Sequence, residues 1–301
     1  MKKEEILEKI IKLKKERNAI ILAHNYQVGD VQDAADFIGD SLGLSQKAAE
    51  VEEKVIVFCG VHFMAETASI LAPEKTVLIP DISAGCPMAS MITASEMREW
   101  KERHPGRKAI CYVNTTAEVK AECDLCCTSS NALKVVESIG GDEILFAPDK
   151  NLAAYVARHT SKRIMPWDGY CYVHQHITSA DIKEKKRIHP KAEVWVHPEC
   201  TPEVINLADK VLSTGGMVRE ARNTGKREVI IGTETGIVYR LAKENPGKNF
   251  YPARELSICR NMKKITLEKV LKSLEEMIYR VEVPPDISFK ARKAIERMVD
   301  L

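Results

Sequence analysis

Apolar residues along this chain follow two rhythms in turn. Short runs rich in β-branched residues predict strands at Ala19–His24, Val55–Cys59, Thr76–Ile79, Ala109–Val113 and Glu143–Phe146. The same signal predicts strands at Arg163–Pro166, Glu193–Val196, Val229–Ile231 and Asn249–Tyr251. Between them, helical spacing predicts helices over Asp33–Val51, Met64–Leu71, Asn151–His159 and Gly236–Glu244. An opening helix carries Ile6, Ile10 and Leu13 on one face. Strand and helix in alternation predicts an α/β protein, its parallel sheets covered by helices on both faces. The crossovers in such units are right-handed.

The pattern also repeats. Three strand ends carry His24, Tyr112 and His197, and adding 17 to each gives Ser41, Ser129 and Thr214, hydroxyl residues near helix starts. A further 45, 42 and 45 residues give Cys86, Cys171 and Cys259, and seven more give Thr93, Thr178 and Thr266. Each threonine suits the N-cap of an amphipathic helix, and Thr93 with Glu96 fits a capping box. Three agreeing offsets predict three copies of one unit, over 1–90, 91–175 and 176–263, with a helical segment over 264–301. A unit of this length buries a limited share of its surface, so the three are expected to pack around a common axis.

Composition narrows the chemistry. A formal charge of +2, with 29% charged residues of both signs, argues against a nucleic-acid or membrane surface. The longest apolar runs, such as Ala19 to Ala23, fall far below the ~20 residues that span a bilayer. The N-terminal segment lacks a signal peptide's apolar core, so a cytoplasmic protein is expected. In that reducing setting nine cysteines point to metal or catalytic use rather than to disulfides.

Cys86, Cys171 and Cys259 each follow the last strand of a unit, so three-fold packing brings three thiolates together at one end of the sheets. Zinc or an iron–sulfur cluster are the candidates. Sites made of cysteine alone usually give zinc four ligands, often in close pairs. Three widely spaced thiolates suit a 4Fe–4S cluster with one iron free of protein ligand, a Lewis acid for substrate. Cys123, Cys126 and Cys127 form the chain's only C-x-x-C, and with no second pair they are expected to be packing residues. Cys59 and Cys111 lie in strands and are expected to be buried thiols. Cys200 follows Glu199 at a strand end, but its repeat equivalents are Gln27 and Thr115, which argues against a ligand role. Helices opening near Ser41, Ser129 and Thr214 offer unsatisfied N–H groups to small polyanions. With no Walker motif and no G-x-G-x-x-G, nucleotides are not favoured.

Ordered strings cover almost the whole chain: LAHNYQ (22–27), GDSL (39–42), SAGCPMA (83–89), YVNTTAE (112–118), CTSSNA (127–132), DGYCYVHQ (168–175), VHPEC (196–200), STGGM (213–217), GTETG (232–236) and CRNMKKITL (259–267). The set resembles the quinolinate synthase family. The resemblance implies three pseudo-symmetric three-layer αβα domains around a pseudo-three-fold axis, with a 4Fe–4S cluster on Cys86, Cys171 and Cys259. It implies condensation of iminoaspartate (iminosuccinate) with dihydroxyacetone phosphate to quinolinate, releasing phosphate and two waters. The enzyme that supplies iminoaspartate is the implied partner. His24, Ser41, Tyr112, Asn114, Ser129, His197, Glu199 and Thr214 are the implied substrate-binding set, with Tyr26, His174 and Ser213 lining the same cavity. His24, Tyr26, His197 and Glu199 are the implied acids and bases. Tyr172 stands where some members have proline, which leaves the local turn open. The family's C-terminal cysteine pair, found in some longer members, has no counterpart here.

Two rival functions follow from the same residues. Another cluster-dependent hydro-lyase, acting on a small dicarboxylate, would use the open iron without a phosphate substrate. A non-catalytic iron–sulfur sensor would have no use for the His, Tyr, Ser and Glu positions. Glu199 follows His197 by two, so in extended backbone the pair share a face. Beside bound anions its carboxylate is expected to have a raised pKa, suited to a base.

Overall fold

Ala19–His24 and Val55–Cys59 are buried along their whole length, which is why they read as unbroken apolar runs rather than alternating ones. The structure, a computed structural model, describes residues 2–301. It contains three four-stranded sheets, all parallel. The first joins β1 (Ala19–His24), β2 (Phe37–Gly39), β3 (Val55–Cys59) and β4 (Thr76–Leu78) in the order β2-β1-β3-β4. The second joins β5 (Lys108–Tyr112), β6 (Leu125–Cys127), β7 (Glu143–Ala147) and β8 (Arg163–Pro166) in the order β6-β5-β7-β8. The third joins β9 (Glu193–Val196), β10 (Lys210–Val211), β11 (Glu228–Gly232) and β12 (Asn249–Pro252) in the order β10-β9-β11-β12. One strand order occurs three times, so the three similar units read from the spacing are present.

Helices interleave with the strands to give three-layer α/β packing. Thr93, Thr178 and Thr266 each cap a helix, the side chain accepting the N–H of Glu96, Asp181 and Lys269 in turn. Thr93 and Thr178 complete capping boxes with Glu96 and Asp181. The N-terminal helix Lys3–Arg17 buries Ile6 and Ile10 and packs against Leu267–Glu276. The last helix, Pro285–Val299, lies over β6 and the helix Ala117–Ala121. No helix among the described residues is long and apolar enough to cross a membrane.

One expectation needs correction. Asp33–Val51 is not one helix: a helix ends at Ala34, β2 follows, and a second helix spans Ser41–Glu50. The three-residue β2 pairs with β1 through Leu22 and Phe37, a partner that no local pattern reveals. The helix expected near Ser129 begins at Ala132, after a turn in which the Asn131 side chain accepts the Thr128 N–H at 2.8 Å.

Candidate active site

His24 is the last residue of β1, and Tyr112 the last of β5; His197 follows β9 directly. Their side chains meet in a cavity at the carboxyl ends of the sheets, the edge where open α/β sheets bind ligands. Tyr26, Asn114, His174 and Glu199 line it too. So do Ser41, Ser129 and Thr214, the three hydroxyls placed by the 17-residue offset. Cys86, Cys171 and Cys259 complete the set. Ser213 lies outside this lining. Its hydroxyl accepts the Gly216 N–H at 3.1 Å as a helix cap and meets Ser130 Oγ at 2.7 Å.

The repeat shapes the histidines. His24 Nδ1 accepts the N–H of Tyr26 at 3.1 Å, and His197 Nδ1 stands 3.3 Å from the N–H of Glu199, the same two-residue turn in two units. Burial lowers the His24 pKa to about 4, against the pull of Asp40, so its imidazole is neutral near pH 7. Burial lowers His197 as well, against the pull of Glu199. Tyr26 and Tyr112 phenols are pushed well above their ordinary value by burial and by Glu199, and stay protonated.

Glu199 lies between two imidazoles. Its Oε2 is 2.8 Å from His174 Nδ1 and 3.2 Å from His197 Nδ1, and the two rings stack with centroids 4.6 Å apart. The His174 contact is a close approach without the alignment of a hydrogen bond. Burial pushes the Glu199 pKa up, but His174 and His197 outweigh it and hold the carboxyl well below its usual range. This overturns the expectation of a raised pKa, which came from considering anions and not the second histidine. Beyond it, Thr233 Oγ1 is 2.8 Å from His174 Nε2 and 2.5 Å from the Tyr26 hydroxyl, so Tyr26, Thr233, His174, Glu199 and His197 form one chain of contacts. Glu199 Oε1 and Asn114 Oδ1 are buried without partners. Orphaned acceptors of this kind are costly unless a ligand meets them.

The thiols fit a cluster better than a single ion. Cys86, Cys171 and Cys259 come from three loops, and all three are free thiols. Burial pushes Cys86 up to about 12 and raises Cys171 and Cys259, and neighbouring thiols of the set add to the first two. Such a group ionises readily only when a cation joins it. The one group of ligand atoms among the described residues within 4.8 Å of one another is instead Cys171, His174 and Glu199. His174 Nε2 is already committed to Thr233, while its Nδ1 stands 2.8 Å from Glu199 without a hydrogen bond. Three sulfurs lining one cavity at wider spacing suit separate irons of one cluster. Tyr172 settles the open turn: it begins the short helix Tyr172–Gln175 after Cys171, and its hydroxyl accepts the Arg260 N–H at 2.9 Å.

Sequence reasoning missed several groups. Asp40 lines the cavity one residue before Ser41, and its carboxylate accepts the N–H of Gly43 and the hydroxyl of Ser130. Glu234, inside the GTETG string, is fully buried at the cavity edge with Lys263 Nζ 2.8 Å away. Gly236 has no room for a side chain: a Cβ there would stand 2.6 Å from Lys263 Nζ and 2.7 Å from Tyr26 O. Asn25 Nδ2 donates to Thr214 Oγ1 at 2.9 Å and ties the first unit to the third.

Three parallel sheets sharing one thiol-bearing cavity define an α/β enzyme whose site is assembled from all its units. The family model for quinolinate synthetase A protein matches residues 8–300. The chain is 59% identical over 299 residues to a quinolinate synthase of Dehalococcoides mccartyi strain CBDB1, covering 99% of each chain. It is 55% identical to a quinolinate synthase of Thermodesulfovibrio yellowstonii over 98% of each, and 54% identical to quinolinate synthase 2 of Methanosarcina acetivorans over 98% of this chain and 96% of that one. The chain belongs to the quinolinate synthase family.

Proposed function

We propose that this enzyme condenses iminoaspartate with dihydroxyacetone phosphate to quinolinate in NAD biosynthesis, releasing phosphate and two waters. The observation that carries this reading is the meeting, in one cavity, of three thiols with His24, Tyr112, Asn114, His197 and Glu199 from strand ends of all three units. Cys86, Cys171 and Cys259 would hold a 4Fe–4S cluster, which supplies a Lewis-acid site for removing a hydroxyl. Ser41 and Thr214 open helices, and with Ser129 their hydroxyls and nearby N–H groups suit carboxylate and phosphate oxygens. The free Asn114 Oδ1 suits an N–H of the imine substrate or its enamine tautomer. Neutral His24, whose Nδ1 already accepts the Tyr26 N–H, presents Nε2–H as a donor. Tyr26 keeps its phenol proton and is a second acid. Glu199 is ionised with one free oxygen; held below the usual carboxylate range it is a weak base, and a proton it takes up can pass on to His197 beside it. The work is placed in the cytoplasm, with the enzyme that supplies iminoaspartate as partner.

Anaerobically reconstituted protein, given both substrates, is expected to form quinolinate. Protein that binds iron yet only dehydrates a small dicarboxylate would move the assignment to a hydro-lyase. Iron binding with no turnover of either kind would favour a sensor.

A further inference from the structure

The residue two positions beyond the third strand of each unit is Val61, Asp149 and Glu234 in turn, after β3, β7 and β11. In the second and third units it is a fully buried carboxylate. Asp149 Oδ2 accepts the peptide N–H of Cys171 at 3.2 Å, while Oδ1 accepts the N–H groups of Asn151 and Leu152 at 2.8 Å each. Glu234 Oε1 accepts the peptide N–H of Cys259 at 3.0 Å, while Oε2 accepts that of Gly236 at 2.7 Å. Each carboxylate thus joins a helix start to the cysteine of its own unit. All three units also share a backbone link: the N–H groups of His62, Lys150 and Thr235 donate to Ala84 O, Gly169 O and Ser257 O at 2.8, 2.9 and 2.9 Å, each acceptor two residues before the cysteine, and only in the second and third units does a carboxylate add a bond to the cysteine's own N–H.

We propose that Asp149 and Glu234 are positioning residues for the cluster cysteines, each fixing one ligand loop by holding the cysteine's own peptide N–H. The inference rests on the cluster reading given above. The chemistry explains the residue type. Only a carboxylate offers two acceptor oxygens, and both are needed, one for the helix start and one for the cysteine. Serine has a single oxygen, and an amide would turn one acceptor into a donor facing an N–H. Depth explains why the contact matters: a buried peptide N–H without a partner is costly, so the loop has one favoured position while the carboxylate is present. Val61 has no acceptor to offer Cys86, and there the loop is tied instead by Asn261, whose Nδ2 donates to Gly85 O at 2.6 Å.

Asp149→Asn is the sharpest test. Its one oxygen remains with Asn151 and Leu152, and its NH2 is left facing the Cys171 N–H. Residue-resolved hydrogen exchange is expected to quicken at Cys171 by roughly ten-fold, as for loss of one hydrogen bond to a charged group, with Asn151 and Leu152 still protected. Iron release to a chelator, followed by absorbance, is expected to quicken by a similar factor. Asp168→Asn removes a charge from the same stretch of chain without touching that peptide and is expected to match wild type. Glu234→Ala removes the acceptor for Cys259 and is expected to quicken exchange there, deciding the matter should Asp149→Asn fail to fold. Wild-type exchange at Cys171 and Cys259 in these variants, with unchanged iron release, would overturn the proposal. If wild-type protein took up no iron, the cluster reading would fall, and the exchange measurements would still judge the two carboxylates.

Discussion

Two groups of cysteines in this chain have opposite fates. Cys111, Cys123, Cys126 and Cys127 include the only C-x-x-C, the pattern most often associated with metal. Yet Cys111, Cys126 and Cys127 are fully buried in β5 and β6, where Cys111 lies opposite Cys126 with the sulfurs 3.5 Å apart. Cys123 turns its thiol to Val119 O at 3.2 Å. Cys86, Cys171 and Cys259 are far apart in sequence, yet they line one cavity. The difference is topological. Side chains within a buried strand are surrounded by their own sheet and its covering helices. Loops after the carboxyl ends of parallel strands all point to one side, so three units can contribute to one site.

The largest expected effect sets these groups against each other. Cys171→Ala should abolish iron binding and turnover, as should Ala at Cys86 or Cys259. Cys126→Ala should retain iron and cost about 1 kcal/mol of stability as a small buried cavity. Iron and sulfide analysis with denaturant melts separates the two outcomes. Iron lost from Cys126→Ala but kept by Cys171→Ala would reverse the assignment.

Next in size is Glu199→Gln, which keeps the shape between His174 and His197 but removes the base. Turnover is expected to fall by about 10²–10⁴-fold with iron content intact. Steady-state rates on iron-matched samples test this. A fall of about threefold or less would make Glu199 an orienting group for the two histidines and leave proton transfer to His24, Tyr26 and His197.

A smaller effect concerns pH. The folded pKa of His24, about 4, lies below the ordinary 6.5. As pH falls from about 6.5 to about 4, the unfolded chain gains a proton that the folded chain refuses, so stability drops. Above about 6.5 both states are neutral and His24 adds no pH dependence. Between pH 7 and 5 wild type should therefore lose about 2 kcal/mol more than His24→Asn in denaturant melts. Equal losses would place His24 in contact with water.

Much of this was legible in the sequence because symmetry multiplies weak signals. A threonine before a helix is a common cap, but three at one offset from three cysteines marked the units. Burial on both faces made strands such as Val55–Cys59 plain. The edge strands β2, β6 and β10 were not legible, being two or three residues long and defined by partners rather than by alternation. The site was read best where all three units carry a comparable polar residue. Asp149 and Glu234 escaped because Val61 breaks their set. The Glu199 pKa escaped because His174 approaches from another unit, a contact with no counterpart in spacing.

The smallest expected effects divide the hydroxyls that the offset placed together. Thr214 Oγ1 already accepts a hydrogen bond from Asn25 Nδ2, and Asn25 Oδ1 in turn accepts from Arg240 at 2.7 Å. Thr214→Ala therefore leaves a buried amide N–H without its acceptor and disturbs the join between first and third units. Ser129 lines the cavity beside Tyr112, with no comparable bridge between units. Both substitutions should weaken substrate binding, by roughly 0.5–1.5 kcal/mol for a neutral hydrogen bond or ~1.5–3 if charge-assisted. Only Thr214→Ala should also lower stability, by about 1 kcal/mol. Michaelis constants for both substrates, set beside denaturant melts at matched iron content, distinguish the cases. Unchanged Michaelis constants in both variants would reduce these hydroxyls to structural groups. A stability loss in Ser129→Ala alone would mean that the second unit, not the third, carries the join.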